Sequence, residues 1–438
     1  MLPPGPRLPA VAQAALLAKD PIGFLHRCRD RYGDVFRISI PGFMNFVYVA
    51  DPLLAREVYA ADRTIGRAGD ARREFLAPVV GHHSMLVTEG EEWLEHRKLL
   101  GPAFHRRVVD DYRDEIARIA RAEIERLPAD EPFPIRPHMQ AITLEVIMRL
   151  VFGLSEGPRM DRLRKLLAAL LEAAGSPMLL LVPPRFFNFA VKRPRMRRVP
   201  GPLGRFLSAQ AEADVLLYDE IRRRREEGTG DRTDALSVMI RDGGLSDVAI
   251  RDELHTLLQA GHETTATSLA WAFERLARHP RILERLVEEV RAGEDDAYLK
   301  ATVREVLRAR PVIIDTPRAL TGDLELAGFT IPAGWVVAPS IPLVQGDEPF
   351  DPDREPSREG WIPFGGGKRH CVGSHLALLE MEVVIAEVLR QRDIRPADRA
   401  DERVRLVHVT LAPSERAVVH ATPVRVPEKM ASLVSVGN

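Results

Sequence analysis

Helical periodicity dominates the chain. Apolar residues recur every three or four positions over Pro21–Tyr32, where Ile22, Leu25, Cys28 and Tyr32 share one face. Similar stripes run through 110–127, 139–153 and 204–226. Strand-like alternation is confined to a few places. Val35–Ile40 and Phe46–Ala50 flank Pro41-Gly42 and predict an early hairpin. Leu324–Leu326 and Trp335–Ala338 flank Gly328 and Gly334, and Val404–Leu411 and Arg416–Ala421 flank a Pro-Ser turn. The pattern predicts a mostly α protein with small β-sheets (α+β). Its β-rich part is expected at roughly 33–51, 312–340 and 403–423, within one domain spanning 1–438, without internal repeats.

One predicted helix is unusual. Ser246 is a good N-cap, Asp247 follows it, and a helical pattern runs to His279 before Pro280 stops it. Its centre reads Ala260-Gly261-His262-Glu263-Thr264-Thr265, a poor helix former. Gly261 alone costs about 1 kcal/mol relative to Ala. The Thr264 hydroxyl can turn back to the carbonyl of Ala260 and loosen the ladder. A small residue beside a loosened turn makes room for a ligand, and Glu263 offers an ionisable group next to it. On this segment alone, a tolerated glycine beside a surface glutamate is an equally good reading.

A further helix starts at Asp295 or Asp296 and ends before Pro311; on it Glu305 and Arg308 share a face. Beyond lies Phe364-Gly365-Gly366-Gly367-Lys368-Arg369-His370-Cys371-Val372-Gly373, followed by an amphipathic pattern to Gln391. Three glycines allow positive φ and close backbone approach. The Lys-Ser/Thr ending of a phosphate loop is missing. Cys371 stands near a helix N-terminus with basic residues two and three positions before it, and both effects favour a thiolate. A single thiolate of this kind suits an axial metal ligand or a nucleophile.

Composition narrows the field. The 62 Lys and Arg nearly cancel the 63 Asp and Glu, which argues against a nucleic-acid binder. Two cysteines exclude a disulfide framework and any Cys cluster. No run of 18 apolar residues predicts a membrane span, and the proline-rich start lacks the apolar core of a signal peptide, so a cytoplasmic location is expected. Lys192–Arg198 reads as a surface loop. The apolar run Met178–Val182 nearby leaves a membrane-surface role as its alternative.

Taken together, these segments closely resemble a cytochrome P450, a heme-thiolate monooxygenase, of the soluble bacterial type. The heme-loop pattern matches at Phe364, Gly367, Arg369, Cys371 and Gly373. The long-helix pattern matches at Ala260, Gly261, Glu263 and Thr264. Glu-x-x-Arg matches at Glu305–Arg308, and Trp-x-x-x-Arg at Trp93–Arg97. The resemblance implies heme b held by Cys371 as proximal thiolate, with Gly365 and Gly373 in its loop and Phe364 packed on that side. Arg97, Arg318 and Arg369 would bind the propionates, with Trp93 in support. Ala260 and Gly261 would open the distal pocket, Glu263 and Thr264 would relay protons, and Glu305, Arg308 and Arg354 would form a structural ion-pair triad. The aromatic that usually follows the triad's third member is absent after Arg354.

By the same resemblance, substrate contacts fall on Phe75, Leu76, Met85, Leu86, Met178, Leu181, His255, Leu258, Val312, Ile313, Asp315 and Leu411. Most are apolar, as in a small-molecule pocket for a terpenoid, steroid, fatty-acyl or polyketide-like compound. His255 and Asp315 are the polar exceptions. An inward Asp315 would imply a substrate hydroxyl or amine, and an outward orientation is slightly favoured for both. The implied partners are O2, a ferredoxin and its reductase, which alone would use NAD(P)H. Lys98, Arg106, Arg107 and Lys368 are candidate docking cations, and a monomer is expected. A peroxide-driven peroxygenase and a non-catalytic heme sensor or carrier are the alternatives.

Overall fold

The computed structural model describes every residue except 42–44, 154–156, 175–181, 183, 243, 356, 398–399, 408 and 425–438. The predicted long helix forms as Asp247–Arg278, and the Ser246 side chain caps it by accepting from the Ala249 N–H. Proline cannot donate a ladder hydrogen bond, so Pro280 begins a new helix instead. Numbered along the chain, the helices that matter below are α1 (Pro21–Tyr32), α2 (Ala68–Val80), α3 (Gly90–Leu100), α4 (Arg113–Ile124) and α5 (Arg136–Phe152). They continue with α6 (Pro158–Ala174), α7 (Pro184–Val191), α8 (Pro202–Glu227), α9 (Asp247–Arg278), α10 (Ala297–Ala309) and α11 (Ser374–Gln391).

The long α9 is the axis of the molecule. It packs most extensively on α5 and also touches α8, α10 and α11. Leu269, Ala270, Trp271, Ala272 and Phe273 are all fully buried, because this five-residue stretch of α9 is apolar all round and meets protein on every side. The Trp271 indole N–H finds its acceptor in the Leu411 carbonyl at 2.9 Å, so a long-range hydrogen bond satisfies the one polar atom of that ring.

Most strands lie where the alternating segments predicted them, but Gly66–Arg67, Phe133–Pro134 and Arg392–Pro396 fall outside the expected ranges. A five-stranded sheet has the order β1-β2-β8-β5-β3. Its strands are β1 (Val35–Ile38), β2 (Phe46–Val49), β3 (Gly66–Arg67), β5 (Arg318–Leu320) and β8 (Val336–Pro339). A three-stranded sheet joins β4 (Phe133–Pro134), β12 (Val418–Pro423) and β9 (Arg392–Pro396). Two hairpins complete the set: β6 (Leu324–Leu326) with β7 (Phe329–Ile331), and β10 (Val404–Val407) with β11 (Thr410–Pro413).

Two expected pairings are corrected. Leu324–Leu326 does not lead to Trp335–Ala338; it pairs with β7 across Ala327 and Gly328, both at positive φ, as a two-residue hairpin turn demands. The segment at 336–339 instead runs parallel to β2 and antiparallel to β5. Likewise, the last hairpin closes between Val407 and Thr410 rather than at the Pro-Ser turn, and β12 leaves to pair with β9 and β4. In both places the partner strand comes from far along the chain, which local alternation does not register. Cys28 sits buried on α1 among apolar neighbours, where burial raises its thiol to about 11, so it is a packed core thiol.

Gly261 takes a role different from the one expected. A Cβ built there would lie 2.8 Å from Ile147 Cδ1 of α5. The glycine therefore lets two helices approach, rather than itself opening a pocket. Gly261→Val should push α9 off α5 and destabilise the protein by about 1–3 kcal/mol in urea unfolding. Adding Ile147→Ala should recover part of that loss; strictly additive losses would contradict the assigned contact.

Candidate active site

The middle of α9 supplies one wall. Ala260 is exposed and Thr264 half-buried, although Leu258, His262, Glu263 and Thr265 around them are buried. An opening therefore reaches the helix at its centre. The Thr264 hydroxyl donates to the Ala260 carbonyl at 2.6 Å, the back-bond its spacing predicted. Its remaining lone pairs are free to accept.

Glu263 points to the other side of the helix axis. Its carboxylate meets the Arg136 guanidinium, accepts from Gln140 Nε2 at 2.8 Å and from the Thr267 hydroxyl at 3.3 Å. Arg136 and Gln140 are one turn apart on α5, so a single helix face holds the carboxylate. His262 beside it is buried and pushed down to about 4, and the Thr143 hydroxyl lies 3.0 Å from its ring. Burial therefore keeps the His262 ring neutral at pH 7.

The opposite wall is the loop before α11. Gly365 and Gly367 have φ of 69° and 67°, as a glycine-rich loop allows. Gly366 has no room for a side chain, since a Cβ would meet the Tyr59 ring at 2.4 Å. The Cys371 N–H donates to the Phe364 carbonyl at 3.0 Å, closing the loop. Phe364 packs edge-on against Trp361.

Cys371 keeps exposed surface. Burial nonetheless raises its thiol pKa, and the Gly373 N–H and the Arg97 guanidinium act in the opposite direction. Asp315 shows the same combination: it is half-buried, and burial pushes it up to about 6 against the Tyr48 hydrogen bond and Arg72. Accessible atoms surrounded by protein line an internal chamber, not the outer surface. The expected help from neighbouring cations is corrected. Lys368 and Arg369 turn away from the sulfur and sit over the Trp93 ring, at 5.7 and 4.3 Å from its centroid. The sulfur is thus not made anionic by the loop alone, and a cation bound to it would supply the missing stabilisation.

Three arginines approach the chamber in different states. Arg318 is buried and paired with Asp62, and it also donates to the Gly366 carbonyl at 3.2 Å. Arg369 pairs with Glu89 at 2.6 Å and donates to the Met85 and Thr88 carbonyls. Arg97 is half-buried, has no carboxylate within ion-pair distance among the described residues, and is lowered by burial. A chamber holding an exposed thiol, a small residue facing it from α9 and a desolvated free guanidinium fits an iron porphyrin with acidic side arms.

Comparison with known proteins agrees with this geometry. The family model described as Cytochrome P450 matches residues 2–418. The chain belongs to the cytochrome P450 family. A Mycobacterium bovis protein with the provisional name cytochrome P450 135B1 is 39% identical, covering 97% of this chain and 92% of its own. A Mycobacterium tuberculosis protein, provisionally cytochrome P450 135A1, is 35% identical, covering 97% and 96%. The solved structure of the retinoic acid-bound cyanobacterial CYP120A1 has a TM-score of 0.80 at 21% identity, covering 97% of this chain and 99% of that one. The cytochrome P450DA heme domain has a TM-score of 0.78 at 23% identity, covering 97% and 98%. This P450 is therefore a heme-dependent monooxygenase with the family's mostly helical fold.

The expected triad forms, loosely. Arg308 makes a forked pair with Glu305, both bonds at 2.8 Å, and donates to the Glu348 carbonyl at 2.7 Å. Arg354 Nε stands 4.0 Å from Glu305, while its terminal nitrogen donates to the Pro349 carbonyl. The Asp351 N–H completes the Glu305 shell at 2.9 Å.

The substrate candidates divide. Phe75, Leu76, Leu86 and Ile313 are half-buried, Val312 and Met85 nearly closed, and Met178 and Leu181 lie outside the described residues. Leu258 and Leu411 are core residues, 1% and 0% exposed, and line nothing. Leu411 belongs to strand β11, where its N–H donates to the Val312 carbonyl at 2.7 Å. His255 is turned away, held at 2.7 Å by Asp214 of α8. Asp315 is half-buried, with the Tyr48 hydroxyl donating to it at 2.8 Å and Arg72 beside it. Sequence reasoning missed Arg136, Asp62, Glu89 and the fully buried Glu253. Glu253 accepts from the Met85 N–H and lies 2.6 Å from His96 of α3. Only Arg136 and Gln140 carried a local signal, their i, i+4 spacing.

Asp315 gives a pH signature. Its folded pKa of about 6 exceeds the unfolded value of 3.8, so its contribution to stability is complete below pH 3.8 and disappears as pH rises through 6. Asp315→Asn should flatten that loss, on the order of 3 kcal/mol between pH 4 and 7. Urea midpoints that follow the same pH curve in both proteins would place the carboxyl elsewhere.

Proposed function

We propose that this P450 inserts one oxygen atom from O2 into an apolar small molecule, using electrons delivered by a separate ferredoxin and its reductase. The observation that carries this reading is the pairing of an exposed, enclosed Cys371 with the opened turn of α9 at Ala260 and Thr264. Heme, when bound, supplies the reductive activation of dioxygen and the oxygen transfer. Cys371 Sγ holds the iron, and the Gly373 N–H tempers the sulfur's charge. Arg97 takes a propionate outright, whereas Arg318 and Arg369 share theirs with Asp62 and Glu89.

The proton path uses Thr264 and Glu263. The Thr264 hydroxyl proton is parked on the Ala260 carbonyl, so its oxygen accepts from a donor in the chamber and passes a proton on by rotating. Glu263 is tethered to Arg136 and Gln140 and reaches Thr264 by turning off α5. Such a swing connects the chamber to the exterior without leaving it open to water.

The half-buried apolar residues on α2, its following loop and Ile313 favour a terpenoid, steroid, fatty-acyl or polyketide-like substrate. Asp315 and Tyr48 favour one carrying a hydroxyl or amine. The cations Lys98, Arg106, Arg107 and Lys368 are exposed, and they suit an acidic electron donor near the Cys371 loop. A monomeric, cytoplasmic, single-domain enzyme is the simplest setting for this reading. Among the described residues, no helix is long and apolar enough to cross a membrane.

Cys371→Ser should abolish the thiolate-type absorption band of the reduced carbon monoxide complex while heme remains bound, and an unchanged band would refute the ligand assignment. Thr264→Ala should retain that band but divert NAD(P)H electrons to hydrogen peroxide with a surrogate ferredoxin system. Full coupling in that variant would remove Thr264 from the proton path. Lys98→Glu or Arg107→Glu should raise the KM for ferredoxin about tenfold at low salt; an unaltered KM would move docking to another face.

A further inference from the structure

The first half of α9 grips one short segment with three side chains. The Asp252 carboxylate accepts from the His83 N–H at 2.9 Å. One residue on, Glu253 Oε1 accepts from the Met85 N–H at 2.6 Å. One turn beyond Asp252, the Thr256 hydroxyl lies 2.6 Å from that of Ser84. Asp252, Glu253 and Thr256 are all buried, and so are Ser84 and Met85. Packing alone does not explain an acid at 253. Its side chain is 0% exposed, and its Oε2 has no hydrogen-bond partner among the described residues. A buried acid with one oxygen left over costs stability relative to an apolar residue of similar volume. A cost of this kind points to work done through the partners.

Those partners lead to two of the arginines at the chamber. The Met85 peptide is bonded at both ends: its N–H goes to Glu253, and its carbonyl accepts from Arg369 at 3.1 Å. Arg369 also rests on the Thr88 carbonyl at 2.8 Å. The Thr88 N–H and hydroxyl both return to the Ser84 carbonyl, at 3.0 and 3.1 Å. The turn that α9 fixes is thus the turn on which Arg369 is seated. The second partner is His96 of α3, whose Nδ1 lies 2.6 Å from the same Oε1. His96 immediately precedes Arg97. Anchoring the ring therefore fixes how far α3 is rotated about its axis, and so where the next side chain emerges. Trp93, one turn earlier on α3, is covered by the Arg369 guanidinium at 4.3 Å.

We infer that Glu253, acting through His96 and the Met85 peptide, is a positioning residue that sets Arg97 and Arg369 together for the heme propionates. It rests on the reading that those two arginines take the side arms. Glu253 is enclosed in protein, so it acts only through its two partners. A carboxylate suits the task because one oxygen accepts two hydrogen bonds from different directions, and bonds to a charged group are the stronger ones. Burial lowers the His96 ring, but the hydrogen bond and charge of Glu253, with Glu92 and Glu95 of α3, raise it overall. Burial raises Glu253 and Asp252 adds to this, while His96 and the Met85 N–H oppose it. The two groups share one proton, and the pair has no net charge whichever of them keeps it.

The test follows the heme of the loaded full chain rather than turnover. Heme release to excess apomyoglobin and the ferric–ferrous midpoint potential are measured for the parent, Glu253→Gln, His96→Leu, His96→Asn and Arg97→Gln. Glu253→Gln and His96→Leu should each release heme about tenfold faster, the loss expected of one buried hydrogen bond to a charged group. Both should also lower the midpoint potential, because propionates less well matched by guanidiniums stabilise the ferric iron. Neither substitution changes the net charge of the pair, so the shift reports the arginines. His96→Asn, whose amide nitrogen takes the place of Nδ1 and still donates, should stay near the parent in both measurements. Parental release in Glu253→Gln and His96→Leu, with faster release in Arg97→Gln, would overturn the inference and leave the propionate reading intact. Parental release in every variant, Arg97→Gln included, would remove the propionate reading as well. Faster release and a lower urea midpoint with an unmoved potential would mark a structural role only and also overturn the inference. If Glu253→Gln yields no heme-bound protein, His96→Leu against His96→Asn decides the same question.

Discussion

A buried charge must be matched by a partner, and this requirement organises the interior of the protein. Long helices carry ionisable residues through an otherwise apolar core, and an uncompensated one costs several kcal/mol. The structure answers several of them with a charged partner, most from a distant element, although Glu380 is buried without one among the described residues. Arg136 meets Glu263, Asp62 meets Arg318, Glu89 meets Arg369, and Glu305 meets Arg308. Removing one member would leave its partner stranded in a low-dielectric region. These pairs thus tie α5 to α9, and the segment before β3 to β5. They also tie the start of α3 to the Cys371 loop.

Arg97, like Arg72 and Arg310, is an exception, and it gives the site its chemistry. It is desolvated as the others are, but no described carboxylate pairs with it, and its nearest electrostatic partner is the Cys371 sulfur. The sulfur in turn is pushed toward its neutral form by burial. Two groups that are each unsatisfied by protein, facing one chamber, are a standing demand for a ligand that offers both a cation and carboxylates. Heme meets both demands at once, with iron for the thiol and propionates for the guanidinium. The loop glycines serve this by geometry: Gly365 and Gly367 turn the chain, and Gly366 lets it pass against Tyr59.

The contrast between the two cysteines is instructive. Both thiols are raised by burial, yet Cys28 is closed in by apolar side chains whereas Cys371 opens on the chamber. Reactivity therefore follows access and the neighbouring loop, not pKa direction alone.

Much was legible in the residues themselves. The cap at Ser246, the stop at Pro280, the back-bond from Thr264 to Ala260 and the glycine-rich turn before Cys371 depend on atoms a few positions apart, so local chemistry decides them. The family followed from four motifs in order, since each preserves a spacing on one element. Tertiary structure alone decided the rest. That Gly261 admits Ile147, that His255 turns to Asp214, that Leu411 is buried beneath Trp271, and that Glu263 is held by Arg136 all depend on elements meeting across the fold. The misassigned strand partners at 336–339 and 418–423 have the same origin. Periodicity specifies which face of an element is apolar, but which other face covers it is set by packing the whole chain around one core.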